Sequence, residues 1–310
     1  MPPKQQISIM MEGRRLFSHG CAGGFCRDSP YLRNLSTPPS PHMTPDERLL
    51  VEAVLASDES RVADLVSRGA DPNAQDPSGR TPVSFAAEIG AVGCLRALLG
   101  ASGSPNVGDV KGDSAVNYAA STGNDRCLEA LLDAGGDRDK VGHGGRSALM
   151  RAVLGGHSRC VRALVGARCD VNSADDDGVT PLAAAVAVDH DDAAKIVAVL
   201  LDAGADPTRA DVRGVVPTQL AAAGGKVEAL KLLLARGAGV NTGSVFSTPL
   251  HDAAFMGKVK CLRVLLENGA DVGARDWDGR TAADRARGGD YEACVELLVE
   301  HGAANFTVLE

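Results

Sequence analysis

The sequence predicts an all-α repeat solenoid of about eight stacked helix-turn-helix units joined by β-turn fingers. Three observations predict it. One slot recurs along the chain as Arg61, Cys94, Cys127, Cys160, Ile196, Ala229, Cys261 and Cys294, at steps of 33, 33, 33, 36, 33, 32 and 33 residues. Eight residues past each slot stand Gly69, Ser102, Gly135, Arg168, Gly204, Gly237, Gly269 and Gly302. A fixed period in this range marks a stacked array. Aromatics are only 3% of the 310 residues while glycine reaches 36, which favours small-residue helix packing over an aromatic β core.

Residues 1–43 precede the array and are Pro-, Ser- and Gly-rich without periodicity. That composition predicts a disordered tail. Within it "CAGGFC" (21–26) is a lone C-x4-C, a weak signal for metal or lipid attachment. Ser29, Thr37, Ser40 and Thr44 each precede proline and are candidate phosphorylation sites. The segment lacks the amphipathic helix of a mitochondrial presequence.

The array itself spans 44–305, in units of 44–75, 76–108, 109–141, 142–174, 175–210, 211–243, 244–275 and 276–305, with 306–310 as a short tail. Its first helix opens on "TPDE" (44–47), a capping box with Thr44 as N-cap and Pro45 at the first helical position. Arg61 fills the slot there, as an outer face meeting water requires. Each later unit reads as a turn and two short helices. In "STPLHDAAFMGKVKCLRVLLENGAD" (247–271), Thr248 caps a helix that Gly257 ends after about two turns. The second helix sets Val259, Leu262, Leu265 and Leu266 on one face, and Gly269 stops it. Helices this short cannot bury their stripes alone, so neighbouring units must cover one another. At the far end "TAADRARGGD" (281–290) places Asp284, Arg285 and Arg287 on a helix expected to be a polar cap.

These residues resemble the ankyrin repeat family. T-P-L-H-x-A-A appears intact at Thr248–Ala254 and degraded as "TPVSFAA" (81–87), "SAVNYAA" (114–120) and "TPLAAAV" (180–186). The turn D-x-x-G recurs at "DPSG" (76–79), "DVKG" (109–112), "DDDG" (175–178), "DVRG" (211–214) and "DWDG" (276–279). The unit ending G-A-D-x-N is met by "GADPN" (69–73). Two units depart from the pattern: one has "GHGG" (142–145), and another has Phe246 where the turn glycine belongs.

Cysteine in the repeating slot reads as a small buried hydrophobe. Stacked positions about 8–10 Å apart lie beyond the roughly 7 Å Cα limit of a disulfide, so the ladder is not expected to cross-link. Eight cysteines with no secretory signal suit a reducing compartment, and the expected location is cytoplasmic, with the nucleus as the alternative. No apolar run reaches the 18 or so residues of a membrane span. Residues 1–43 hold five basic and two acidic residues of the chain's 32 and 40, leaving the array 27 and 38, a net charge of −11. That balance argues against nucleic acid. The acids of "DDD" (175–177) and "DHDD" (189–192) read as hydrated loop residues, the second where the 36-residue step inserts three. No Walker loop, HExxH, GxSxG or paired CxxC appears, so no enzyme, metal or cofactor is expected. His251 belongs to the repeat motif and is expected to hydrogen-bond within the stack.

The expectation is therefore a monomeric, curved, non-catalytic protein–protein interaction module, a scaffold or adaptor. A regulatory inhibitor occluding an enzyme or transcription factor, with the tail as a phosphorylation switch, is the alternative. The resemblance implies a partner site on the concave face and finger turns. Mapped here, its variable positions are Val212, Arg213, Val215, Val245, Phe255, Met256, Trp277 and Arg280, with Ser78, Arg80, Glu88, Ile89, Lys111, Asp113, Arg146 and Leu154 in the other half. The first set holds the single tryptophan beside arginines, residue types enriched in binding hot spots. The resemblance also makes Asn73, Asn106, Asn172 and Asn241 candidates for asparaginyl hydroxylation. The alternative is that these side chains only brace their turns.

Overall fold

In a computed structural model the described residues are 43–303, and among them the regular secondary structure is sixteen α-helices, one 3-10 turn and no strand. The tail expected over 1–43 and its sites Ser29, Thr37 and Ser40 lie outside the described residues, except at the boundary. Met43 is buried, and its carbonyl accepts from Arg48 Nη2 at 3.2 Å, so the packed region begins one residue earlier than composition suggests.

The chain divides into two compact units at Asp176–Asp177. The first holds α1 (Pro45–Leu55), α2 (Glu59–Ser67), α3 (Pro82–Ile89), α4 (Val92–Gly100), α5 (Ala115–Thr122), α6 (Asp125–Asp133), α7 (Ala148–Leu154) and α8 (Ser158–Gly166). The second holds α9 (Pro181–Ala187), α10 (Ala193–Asp202), α11 (Pro217–Gly224), α12 (Val227–Ala235), α13 (Pro249–Phe255), α14 (Val259–Glu267), α15 (Ala282–Gly288) and α16 (Glu292–Glu300). Within each unit the first helices of the pairs stack on one another, and so do the second helices.

Local sequence explains the element ends. Thr44, Thr81, Thr180 and Thr281 cap α1, α3, α9 and α15, each accepting from the backbone N–H three residues on. Thr44 and Glu47 complete their capping box, with Thr44 N donating to Glu47 Oε2 at 2.6 Å and Glu47 N to Thr44 Oγ1 at 3.3 Å. Second helices end with a left-handed residue eight past the cysteine slot: after α2, Gly69 has φ 96° and Ala70 N reaches back to Leu65 O at 3.1 Å. The slot itself is core. Cys94, Cys127, Cys160, Cys261 and Cys294 are all buried, with free thiols. Burial pushes the Cys127 and Cys261 thiols up to about 11 and Cys160 up to about 12, away from reactive thiolate.

Candidate protein-interaction surface

The fingers are built from the aspartate of D-x-x-G. Asp211 Oδ1 accepts from Arg213 N and Val215 N, both at 2.9 Å. Asp276 Oδ1 accepts from Asp278 N and Arg280 N at the same distance. One carboxylate oxygen thus folds the turn, and its charge points inward. Neighbouring fingers are tied by backbone: Val110 N donates to Ser78 O at 2.9 Å, Val212 N to Asp177 O at 3.1 Å and Trp277 N to Phe246 O at 3.2 Å. "GHGG" lacks the aspartate and keeps its turn through Gly145 N to Gly142 O at 3.1 Å, while Asp113 of the preceding unit accepts from His143 N at 2.9 Å. In the finger that lacks the turn glycine, Ser244 N donates to Gln219 Oε1 at 2.9 Å.

Behind the fingers, the fourth motif residue joins one helix pair to the next. His251 Nδ1 lies 2.8 Å from Thr248 Oγ1, and Nε2 lies 3.1 Å from both Ala274 O and Arg280 O. Two carbonyls around Nε2 assign the proton to that nitrogen, and desolvation holds the imidazole below its ordinary pKa. The motif histidine is therefore a neutral strut. Asn117 does comparable work, donating to Lys140 O at 3.2 Å and accepting from Ser114 N at 3.0 Å.

The sequence-selected positions separate on this frame. Val212, Val245 and Trp277 stand at the finger tips, 71%, 84% and 45% exposed, and Phe246 beside Trp277 is 47% exposed. Arg213 and Arg280 are exposed as well, whereas Val215, Phe255 and Met256 are half-buried. Phe255 ends α13, where the Arg285 guanidinium lies 5.9 Å from its ring centroid. In the first unit two expectations fail. Arg80 is buried, paired with Glu88 and stacked 4.1 Å from the Phe85 and 4.5 Å from the Tyr118 ring centroids. Asp113 is buried against Arg151 at 2.5 Å. Both are internal struts and neither is on offer to a partner. Ser78, Glu88, Arg146 and Leu154 are half-buried, while Ile89 and Lys111 are exposed.

Arg285 also departs from the expectation of a polar cap facing water. It turns inward, with Nε 2.5 Å from Asp276 Oδ2 and Nη2 3.2 Å from Asp278 Oδ2. Arg209 and Arg275 at the fingers were not singled out from the sequence, and Phe246 was noted there only as a departure from the repeat pattern. Nothing in the sequence marked the two arginines.

The hairpin asparagines Asn73, Asn106 and Asn241 bridge successive repeats, and Asn172 braces its own turn through its backbone N–H. Asn73 accepts from Ser104 N at 2.7 Å and donates to Ser102 O at 3.1 Å. Asn106 does the same with Asp137 N at 2.6 Å and Gly135 O at 3.0 Å. Asn241 accepts from Asp271 N at 2.8 Å, and Asn172 N donates to Asp170 Oδ1 at 2.9 Å. The acids of the inserted loop are paired from outside it: Asp189 with Lys226 at the start of α12, and Asp192 with Lys195 of α10 at 2.7 Å. Among the described residues no group of three or more His, Cys, Asp or Glu could hold a metal ion. None of the described helices is long and apolar enough to cross a membrane.

Within each unit, paired short helices stacked behind hydrogen-bonded turn fingers define a helical repeat protein. The family model described as Ankyrin repeats (3 copies) matches residues 50–141, 134–211, 196–276 and 218–308, and the chain belongs to that family. Over 111 residues it is 32% identical to a protein from Caenorhabditis elegans, the Transient receptor potential cation channel subfamily A member 1 homolog. That match covers 36% of this chain but spans only 9% of the relative's length. The human ASB11 ankyrin repeat domain, solved as a crystal structure, superposes with a TM-score of 0.63 at 25% identity, covering 71% of this chain and 98% of that one. Ankyrin repeats are generally protein–protein interaction modules and typically non-catalytic.

Proposed function

We propose that this chain is a scaffold or adaptor that holds a protein partner on the fingers of residues 211–280 and the adjoining end of α13. The observation that carries the reading is the row of exposed apolar side chains, Val212, Val245, Phe246 and Trp277, on three consecutive fingers. Single exposed apolar residues need no explanation, but a row of them on one edge does. Tryptophan and arginine, both present in the last of these fingers as Trp277 and Arg280, are among the residue types most enriched in binding hot spots.

The test is partner affinity of the full chain. Trp277→Ala and Phe255→Ala each weaken binding by about 1–3 kcal/mol, as hot-spot truncations do, and leave the helical circular dichroism unchanged. Normal binding by both variants overturns the assignment. Assaying the captured partner's own activity then separates an adaptor from an inhibitor. The working location is the cytoplasm, to be checked by imaging the tagged chain. Asn73, Asn106, Asn172 and Asn241 are proposed hydroxylation sites, and peptide mapping from cells that finds no peptide heavier by one oxygen atom removes them.

A further inference from the structure

The charges around the apolar row are sorted by depth. Across the finger segments 209–215, 243–247 and 275–280 there are four arginines and three aspartates. Two of those aspartates are spent inside their turns: the Asp211 side chain is 7% exposed and that of Asp276 is 0%. The arginines Arg209, Arg213, Arg275 and Arg280 are all exposed. The third aspartate, Asp278, is exposed and lies 3.2 Å from Arg285 and 4.0 Å from Arg280, so the outward-facing charge at these tips is four arginines to one aspartate, on a chain whose net charge is −8. Arg213 lies over Asp211 at 2.7 Å and Arg275 Nη1 donates to Gly279 O at 2.7 Å, so the guanidinium groups are held beside the apolar tips.

The tips also have a period. Stacked helix pairs repeat at about 8–10 Å. An extended strand cannot meet such a row with one face, because side chains three residues apart point to opposite sides. Two turns of α-helix rise about 10.5 Å over seven residues, and one polyproline II turn rises about 9.3 Å over three; both keep one face on the row.

Building on the proposed function, we infer that the finger edge formed by Val212, Val245, Phe246 and Trp277 receives an acidic protein segment whose apolar side chains recur at three- or seven-residue spacing. The apolar groups seat one per finger. The segment's carboxylates meet Arg213, Arg275 and Arg280. Electrostatic complementarity of this kind sets partner choice and encounter rate more than it sets affinity.

The experiment is a selection from a random peptide display library against the full chain, repeated against Val245→Asp. The wild-type chain should enrich peptides in which Asp and Glu outnumber Lys and Arg and apolar residues recur three or seven apart. Val245→Asp should lose them. A synthetic copy of an enriched peptide should shift the emission of Trp277, the chain's single tryptophan, to the blue. The double variant Arg213→Glu, Arg280→Glu should bind that peptide at least about tenfold more weakly, the equivalent of about 1.4 kcal/mol. Enrichment of basic or uncharged peptides, no enrichment, or equal binding by the double variant overturns the inference. If partner capture still depends on Trp277 and Val245 in those cases, the docking edge stands and only its occupant is wrong. If neither substitution affects the partner, both fall.

Discussion

The fingers of the two units start from the same turn and treat their charges in opposite ways. In the first unit the residue after the turn glycine is turned into the fold: Arg80 is stacked on Phe85 and Tyr118 and paired with Glu88, and Asp113 is locked to Arg151. In the second unit the corresponding Arg280 is exposed, and Trp277 stands three residues before it at a finger tip. The deciding residue sits elsewhere in each unit. Tyr118 and Arg151, at the fifth motif position of their helices, hold Arg80 and Asp113; at that position of α15, Arg285 takes the turn acid Asp276 and leaves Arg280 outside. A variable motif position is thus available to a partner only when no neighbouring unit claims it.

The largest expected effect probes that division directly. Arg80→Ala should destabilise the first unit by about 2–3 kcal/mol. Breaking a buried pair costs about 3–5 kcal/mol when both charges are enclosed, and Glu88 retains 29% of its side-chain exposure. Arg280→Ala should stay within about 0.5 kcal/mol of wild type, as surface substitutions do. Denaturant unfolding of both variants measures this, and equal midpoints would erase the contrast between the units.

A smaller effect follows from the acid buried inside the second unit. Asp252 accepts from Gln219 Nε2 at 2.9 Å and from Ser247 Oγ at 2.7 Å, and burial pushes its carboxyl from 3.8 up to about 6. A raised carboxylate pKa means that the folded state holds its proton more tightly than the unfolded chain does. The stabilisation is therefore fully present below about 3.8 and is lost as pH rises through about 6. Asp252→Asn should remove this dependence, gaining about 1–2 kcal/mol on wild type between pH 5 and 7. A wild-type-minus-variant stability that is flat with pH contradicts it.

Much of this was legible in the sequence because repeat periodicity is written in residues whose roles are local. Thr-Pro starts, glycine stops and the apolar slot need no knowledge of distant partners, and Thr81, Gly69 and Cys127 behave as their types dictate. Side-chain direction at the finger roots was not legible. Whether Arg80 or Arg280 faces solvent depends on which aromatic or acid the neighbouring pair of helices presents, a contact between residues tens of positions apart. Arg285 was misread within its own repeat: its charge suggested solvent, and Asp276, nine residues before it, drew it inward.

The smallest effect returns to the eight-residue offset where the units differ. The second unit places glycine there every time, at Gly204, Gly237, Gly269 and Gly302, all with positive φ. The first unit uses Ser102 and Arg168 at φ 67° and 59°, a region that disfavours a Cβ by about 1–2 kcal/mol per residue. Both residues still close the helix, with Gly103 N to Leu98 O at 2.9 Å and Cys169 N to Leu164 O at 3.2 Å. The asparagine hook that lands on Ser102 uses its backbone carbonyl, so it survives removal of the side chain. Ser102→Gly should therefore stabilise the first unit by about 0.5–1 kcal/mol once the looser unfolded chain is subtracted. The reverse change at Gly135, where an added Cβ meets nothing within 4 Å, should cost about the same through backbone strain alone. Thermal unfolding of both variants and of the double swap measures it. A double swap close to wild type would assign the difference to the left-handed backbone, whereas a loss with Ser102→Gly would show that the serine side chain itself stabilises its turn.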